Sequence, residues 1–359
     1  MSNFIFIGPI NRESAICDTV FRDVYDGNIA NARHLDITSL FGFYRFLYHV
    51  LSNRSLRYAL KKFPQLRAVL GRAANVMLAK SQEVKCRRLE SLLDSAADNY
   101  IIHVPGLRFK LLPVSAIDTI RREYPQCRQV LYLVDSLERA VFRNQSCVED
   151  ILRYLEHFDA VYTYDRSDAE LYSEHMRYID IPLWCVSASS PSAQQFDLYF
   201  CGRNKNRGDL LMSIHRRLSD AGMRFRLQIA KDGEICGGHP DITQRSWIPY
   251  EETIADLRLS NCVLEVLAEH NSESTLRYKE AVMYNKKFLT TNQGIRDLPY
   301  YDPRWMRTFE TAEDIDLDWL HAVEPVDYGY RGDYSVKTFL RRVEELTQSA
   351  EPQSKNAKT

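Results

Sequence analysis

Apolar positions along this chain follow two periods. Short runs rich in β-branched and aromatic residues, at 4–7, 100–104, 129–134 and 160–164, each stop at polar or turn residues, and longer stretches with helical spacing lie between them. That alternation predicts βα units around a mainly parallel sheet, hence an α/β class, with the strand ends facing a common crevice. Leu40, Phe43, Tyr44, Leu47, Val50 and Leu51 repeat at helical spacing. They read as the inner face of a core helix or as a membrane-surface stripe.

The character of the chain changes at residues 186–195, VSASSPSAQQ, which are small and polar and read as a domain linker. Beyond it the alternation resumes, with strands predicted at 197–201, 225–229, 262–267 and 288–291 and helices at 209–221, 251–259 and 275–284. Val336, Phe339, Leu340, Val343 and Leu346 define a last amphipathic helix that Asp333 or Ser335 can cap. The predicted organisation is a domain at 1–185, the linker, a second domain at 196–330, a terminal helix at 331–348 and a disordered tail at 349–359.

Composition agrees with two domains. At 359 residues and 45% hydrophobic content the chain can bury large cores, and 47 Lys and Arg against 48 Asp and Glu leave no net field to draw the whole molecule onto nucleic acid or membrane. The cysteines at 17, 86, 127, 147, 185, 201, 236 and 262 form no Cys-x-x-Cys pair and read as reduced thiols. The start, MSNFIFIGPINRES, lacks the basic and apolar segments of an export signal, so a cytoplasmic location is expected. Arg45, Arg54 and Arg72 interrupt the most apolar windows, so no bilayer span is expected. One local asymmetry stands out: from Arg54 to Arg88 ten Lys or Arg face the single acid Glu83. It reads as a solvated helical face, or as a patch for an anionic membrane surface or a lipid-diphosphate acceptor. Sparse aromatic interleaving argues against single-stranded nucleic acid.

Two segments carry chemistry. In DLYFCGRNKNRGDLLMSIHRRL, Gly202, Arg203, Lys205 and Arg207 fall in the turn between a strand and a helix. Open backbone, a helix N-terminus and several cations there form a diphosphate cradle, or a solvated basic turn. In residues 242–292 a strand ends near Leu267, a polar loop of Glu269, His270, Asn271, Ser272, Glu273 and Ser274 follows, and a helix carries Arg277 and Glu280. Loop donors at a helix start suit phosphate, and a carboxylate within that helix can accept both ribose hydroxyls.

This stretch, with KEAVMYNKKFLTTN at its end, resembles the C-terminal domain of GT-B glycosyltransferases, in particular the CgeB-like group and related bacterial polysaccharide and lipopolysaccharide biosynthesis proteins. YPQCRQVLYLVDSL and FDAVYTYDRSDAELY resemble the last strands of that group's N-terminal domain, so the likeness covers roughly residues 100–345. It implies two Rossmann-like domains with parallel sheets facing a central cleft, and a last helix crossing back. It also implies a UDP- or GDP-linked sugar donor held by Gly202, Arg203, Lys205, Arg207, Tyr250, His270, Ser274, Thr275, Arg277 and Glu280. No further cofactor is implied, and no metal, because the Asp314, Asp316 and Asp318 run looks like a loop or helix start. Position 272, where the group's first acid falls, is Ser272, and the loop lacks the usual glycines.

Asp135, at a strand end directed at the cleft, is the candidate base that takes the proton of a glycan or lipid-linked acceptor. His103, at another strand end, is either a second candidate base or a packed histidine, and Asp165 with Asp168 follow a further strand. Two other readings stay open: a nucleotide-sugar epimerase of the same architecture, and a catalytically degenerate module that binds nucleotide or glycan as a partner protein.

Overall fold

The computed structural model describes residues 2–8, 19–35, 64–66, 68–73, 76, 87–105, 111–138, 141, 146–184, 194–230, 242–245, 248–267 and 275–349. The chain divides into two compact units, Met1–Trp184 with Val336–Thr359, and Cys185–Ser335. Each is a parallel α/β unit, and the class is the one expected; the returning last helix agrees with the GT-B architecture.

In the first unit, strands β1 (Asn3–Ile7), β2 (Ala32–Leu35), β3 (Asn99–His103), β4 (Arg128–Leu133), β5 (Ala160–Thr163) and β6 (Arg177–Tyr178) pair in the order β2-β1-β3-β4-β5-β6. Every pairing is parallel. The three central strands are buried along nearly their whole length, the reason they read as unbroken apolar runs. Helices α1 (Arg22–Tyr25), α2 (Val114–Glu123), α3 (Val148–Leu155) and α4 (Arg166–Leu171) intervene.

The last helix of the chain belongs to this unit. It runs Val336–Ser349 and buries Val336, Phe339, Leu340, Val343 and Thr347. Phe339 meets Tyr132 at 4.8 Å and Phe21 at 5.3 Å between ring centroids. A buried tyrosine needs a partner for its hydroxyl. Tyr162 finds it in Thr347, 2.8 Å away, while Ser2 donates to Glu344 at 2.6 Å and Arg128 to the Thr347 carbonyl at 3.1 Å.

In the second unit, β7 (Phe196–Arg203), β8 (Phe225–Ala230), β9 (Ile242–Arg245), β10 (Ser260–Glu265), β11 (Lys287–Thr290) and β12 (Met306–Thr308) form a parallel sheet ordered β12-β11-β10-β7-β8-β9. The chain first builds outward from β7 to β9, then returns to the other side of β7 with β10. The strand order therefore reverses between β7 and β10, and the crevice outside their carboxyl ends is the switch point of the sheet. Helices α5 (Gly208–Asp220), α6 (Tyr250–Arg258), α7 (Leu276–Met283) and α8 (Leu317–His321) complete it, with α9 the label for Val336–Ser349. Leu198, Phe200, Leu211, Ile214, Leu218, Leu264, Leu289 and Trp319 share one core. Asp316 caps α8 by accepting from the Trp319 amide, so the aspartate run serves a helix start.

Lys287 is fully buried at the head of β11, and its ammonium donates to the carbonyls of Trp319 at 2.7 Å and Ala322 at 2.6 Å, closing the end of α8. Lys286 does the same for α6 through Arg258 and Ser260, both at 2.7 Å. Four of the eight cysteines, Cys127, Cys147, Cys201 and Cys262, lie in described residues as free thiols. The predicted stripe at 40–51, most of the linker and the tail beyond 349 lie outside the described residues.

Candidate functional site

The site is built from the two strand ends at the switch point of the second sheet. β7 finishes in Cys201, Gly202 and Arg203, and the chain then reverses through Asn204–Arg207, closed by the Arg207 amide donating to the Asn204 carbonyl at 2.9 Å. Lys205 and Asn206 sit in the left-handed region, with φ of 42° and 64°. Two consecutive positive φ angles make this a primed turn. Asparagine tolerates that conformation readily; a lysine held there is a strained residue of the kind found at functional turns. The 13-residue helix α5 starts directly after it, so its unpaired amides lie beside this turn.

Arg207 straps the crevice. Its guanidinium donates to the carbonyls of Asn204, at 3.2 Å, and Arg203 on the β7 side, and to that of Val266 just past β10, and it lies over the Phe200 ring. Gly202 makes room for it: a Cβ at that position would stand 3.1 Å from Arg207 Nη2 and 3.1 Å from Phe200. We expect Gly202→Ala to displace the strap, lowering stability by about 1–2 kcal/mol in urea unfolding.

A second arginine closes the other side. Thr275 caps α7, its hydroxyl accepting from the Arg277 amide. Arg277 donates through Nε to the Cys201 carbonyl at 3.1 Å and through Nη1 to Glu280, one helical turn on. Glu280 is wholly buried, and the side chain of Arg277 is 18% exposed. Burial raises the Glu280 pKa, and the neighbouring guanidinium pulls it back down. Burial also works against the Arg277 charge, but Glu280 more than offsets it, so that pKa is raised. The Tyr250 hydroxyl at the head of α6 is buried beside the same carboxylate, and burial together with that negative charge pushes its pKa far up.

Of the residues expected to hold a donor, Gly202, Arg203, Lys205, Arg207, Thr275, Arg277, Glu280 and Tyr250 therefore lie around one switch point. Their roles differ. Arg203 and Lys205 have exposed side chains, whereas Arg207 and Arg277 are committed to main-chain carbonyls and to Glu280. His270 and Ser274 lie outside the described residues.

Glu265, the last residue of β10, was not singled out by sequence reasoning. One of its carboxylate oxygens accepts from the amide (2.6 Å) and hydroxyl (2.7 Å) of Thr275, and the other from Thr290 at 2.8 Å. It fixes the start of α7 from inside the sheet. A carboxylate within the otherwise apolar run NCVLEVL was the signal available for it.

In the first unit, Asp135 lies just past the end of β4 and is largely buried, and its carboxylate accepts from the Ser136 amide at 3.2 Å. Asp165 caps α4, and Asp168 accepts from the Leu137 amide at 2.6 Å, tying that helix to the turn after β4. Burial raises the Asp168 pKa, helped by Asp165, Glu138 and Asp135. His103 is not placed to act as a base. It is 2% exposed, packed against Phe158, and its Nε2 stands 3.2 Å from Gln129. Burial drives its pKa down to about 3, so at neutral pH the ring is neutral and a poor proton acceptor. His34, at the end of the unforeseen strand β2, is the half-exposed histidine at this rim, and its Nε2 lies 3.0 Å from the Gly8 carbonyl. A carbonyl only accepts, so Nε2 carries the proton.

Strand order and site together define a protein of two Rossmann-like α/β domains with a cation-bearing turn at the switch point of the second. Among solved structures the chain is similar to the spinosyn forosaminyltransferase SpnP, at 11% identity and a TM-score of 0.42 over 97% of this chain and 100% of that one. It is also similar to the UDP-GlcNAc 2-epimerase from Methanocaldococcus jannaschii, at 10% identity and a TM-score of 0.46 with the same coverage. No protein-family model matches the chain, and no curated protein sequence does.

Proposed function

We propose that this chain is a glycosyltransferase of GT-B architecture, taking a UDP- or GDP-linked sugar at the switch point of its second domain and passing the sugar to a hydroxyl acceptor. The observation that supports it most is the strapped turn: a left-handed bend bearing Arg203 and Lys205 at the head of α5, held by Arg207 to the end of β10 and, through the Cys201 carbonyl of β7, by Arg277 to the head of α7. A diphosphate placed there meets open amides, the positive end of a long helix and two exposed cations. As the acceptor oxygen bonds to the anomeric carbon, the bond from that carbon to the diphosphate oxygen breaks and negative charge collects on the leaving group. Arg203, Lys205 and the turn amides stabilise that charge.

Arg207 and Arg277 keep the turn in shape, adding positive potential without needing to touch the ligand. Glu280, the group that the resemblance gives for the ribose hydroxyls, lies buried against Arg277 at the inner end of the same network, so it meets a ribose only when that pair opens. Asp135 takes the acceptor proton. The resemblance in residues 100–345 suggests a glycan or lipid-linked acceptor in bacterial cell-surface polysaccharide synthesis.

Calorimetric titration with UDP, GDP, ADP and CDP, followed by assays for release of nucleoside diphosphate from sugar donors, tests the reading. We expect one of the diphosphates to bind, and Arg203→Ala and Lys205→Ala each to weaken it about tenfold, the scale of a charge-assisted contact. Release of nucleoside diphosphate that an acceptor accelerates supports transfer. An epimer or free sugar formed without acceptor identifies an epimerase, and binding with no turnover on any donor identifies a partner module. No binding of any diphosphate overturns all three.

A further inference from the structure

A cavity in the second domain, away from the switch point, carries an inference independent of the sugar-transfer reading. Its volume is about 320 Å³, and it is lined from β11 and the edge strand β12, from the turns that follow each of them, and from α8. None of the residues grouped around Gly202 and Glu280 lines it. Small-molecule sites span about 300–1,000 Å³, so this one suits a body of about one ring.

The polar side chains around the cavity fall into two sets. Arg307, Asp314 and Asp316 are already engaged. Arg307 pairs with Asp316 and lies over the Trp319 ring at 4.8 Å, and Asp316 also accepts from the Trp319 amide at 2.9 Å. Asp314 accepts from the amide of Thr311 at 2.7 Å and from its hydroxyl at 3.0 Å. Donation from the Thr311 and Trp319 amides holds the Asp314 and Asp316 carboxyls below the ordinary carboxylate range, so both stay ionised. Arg296, Tyr301 and Thr308 form the second set. Among the described residues their side chains make no hydrogen bond or ion pair. All three can donate, and Arg296 is a cation. The rest of the lining is apolar, chiefly the buried Leu289, Met306 and Trp319.

Unused donors call for an acceptor on the ligand, the guanidinium for an anion, and the apolar wall for hydrocarbon. A carboxylate on a small apolar body meets all three. The two ionised aspartates limit the charge: they would repel a dianionic phosphate, whereas a monoanion fits the planar fork of Arg296. A neutral sugar would leave the guanidinium without a counter-charge and set hydroxyls against the apolar wall.

We propose that the cavity beside β12 binds a small monocarboxylate with an apolar or single-ring body, its carboxylate held by Arg296 and by the hydroxyls of Tyr301 and Thr308. The test is calorimetric titration of the full chain with phenylpropionate, its uncharged counterpart phenylpropanol, glucuronate and inorganic phosphate. The expected result is binding of phenylpropionate, with the alcohol weaker by about tenfold or more. Arg296→Gln should weaken phenylpropionate about tenfold and Thr308→Val about threefold, while Arg203→Ala/Lys205→Ala leaves it unchanged. Neither Arg296→Gln nor Thr308→Val removes an internal side-chain bond, so thermal unfolding of both should match that of the parent. Should Thr308→Val unfold instead, the exposed Arg296 still decides through its own variant. No binding of phenylpropionate overturns the proposal, as does binding that Arg296→Gln leaves intact or that the alcohol equals. Tighter binding of glucuronate overturns it in favour of an acidic sugar, and tighter binding of phosphate in favour of a plain anion site. Loss in Arg203→Ala/Lys205→Ala with retention in Arg296→Gln overturns it by moving the anion to the switch point.

Discussion

Arg277→Ala is expected to destabilise the second domain by about 3–5 kcal/mol, the cost of leaving a buried charge without its partner. Glu280 has 1% of its side-chain surface exposed and relies on this guanidinium, as does the Cys201 carbonyl at the end of β7. The loss should depend on pH in a particular direction. Without the guanidinium, burial dominates at Glu280, with Glu265 adding to it and the Tyr250 hydroxyl offsetting it only in part, and the folded pKa rises above the unfolded value. The folded protein then holds the proton more tightly, and stability falls as pH rises above about 4.5, the ordinary range of the group. The destabilisation should therefore be largest near neutrality and shrink in acid, as read by urea unfolding across pH. Replacing both partners, Arg277→Leu with Glu280→Leu, should recover most of the stability, since apolar side chains of similar volume leave no charge to compensate. If Glu280 meets the ribose, the double variant should fold and still bind nucleotide poorly, separating the scaffold role of the pair from its role toward ligand.

His103→Leu is expected to flatten the acid side of the stability curve. In the folded chain the ring titrates at about 3, against 6.5 for an ordinary histidine, so between those values the unfolded state binds a proton that the folded state refuses. That contribution to stability is complete above pH 6.5 and is lost as pH falls toward 3, at up to about 1.4 kcal/mol per pH unit. Between pH 7 and 4.5 the parent should lose about 3 kcal/mol more than the variant, measured by denaturant unfolding. At neutral pH the variant should be less stable by about 1–2 kcal/mol, because the buried Gln129 side chain loses a partner. Turnover at neutral pH that remains in proportion to folded protein would agree with a core histidine. Its loss in a folded variant would return His103 to the chemistry.

The apolar strands were legible in the sequence because they are buried on both faces: the strand expected at 262–267 is β10 at Ser260–Glu265, and that expected at 288–291 is β11 at Lys287–Thr290. Edge strands were not. β2, β6 and β12 read ARHL, RY and MRT, short and partly exposed, so neither length nor alternation separates them from loops. The cationic turn after β7 was visible as residue types, but its geometry was not. Left-handed Lys205 violates its local preference and is held in place by Arg207, reaching 59 residues ahead to Val266. Such contacts depend on strand order, which a single sequence does not express. His103 shows the same limit from the other side. A histidine at the end of a strand can face the crevice or the core, and the face its neighbours cover decides which.

In the proposed complex a nucleoside diphosphate sits where the turn at 202–208 meets the head of α7. Hydrogen–deuterium exchange of the intact chain, with and without saturating nucleoside diphosphate, reads that placement segment by segment. Exchange should slow at the amides of 203–208 and 276–280, and both protections should vanish in Arg203→Ala/Lys205→Ala. Protection confined to other segments, or retained in full by that double variant, would place the nucleotide elsewhere.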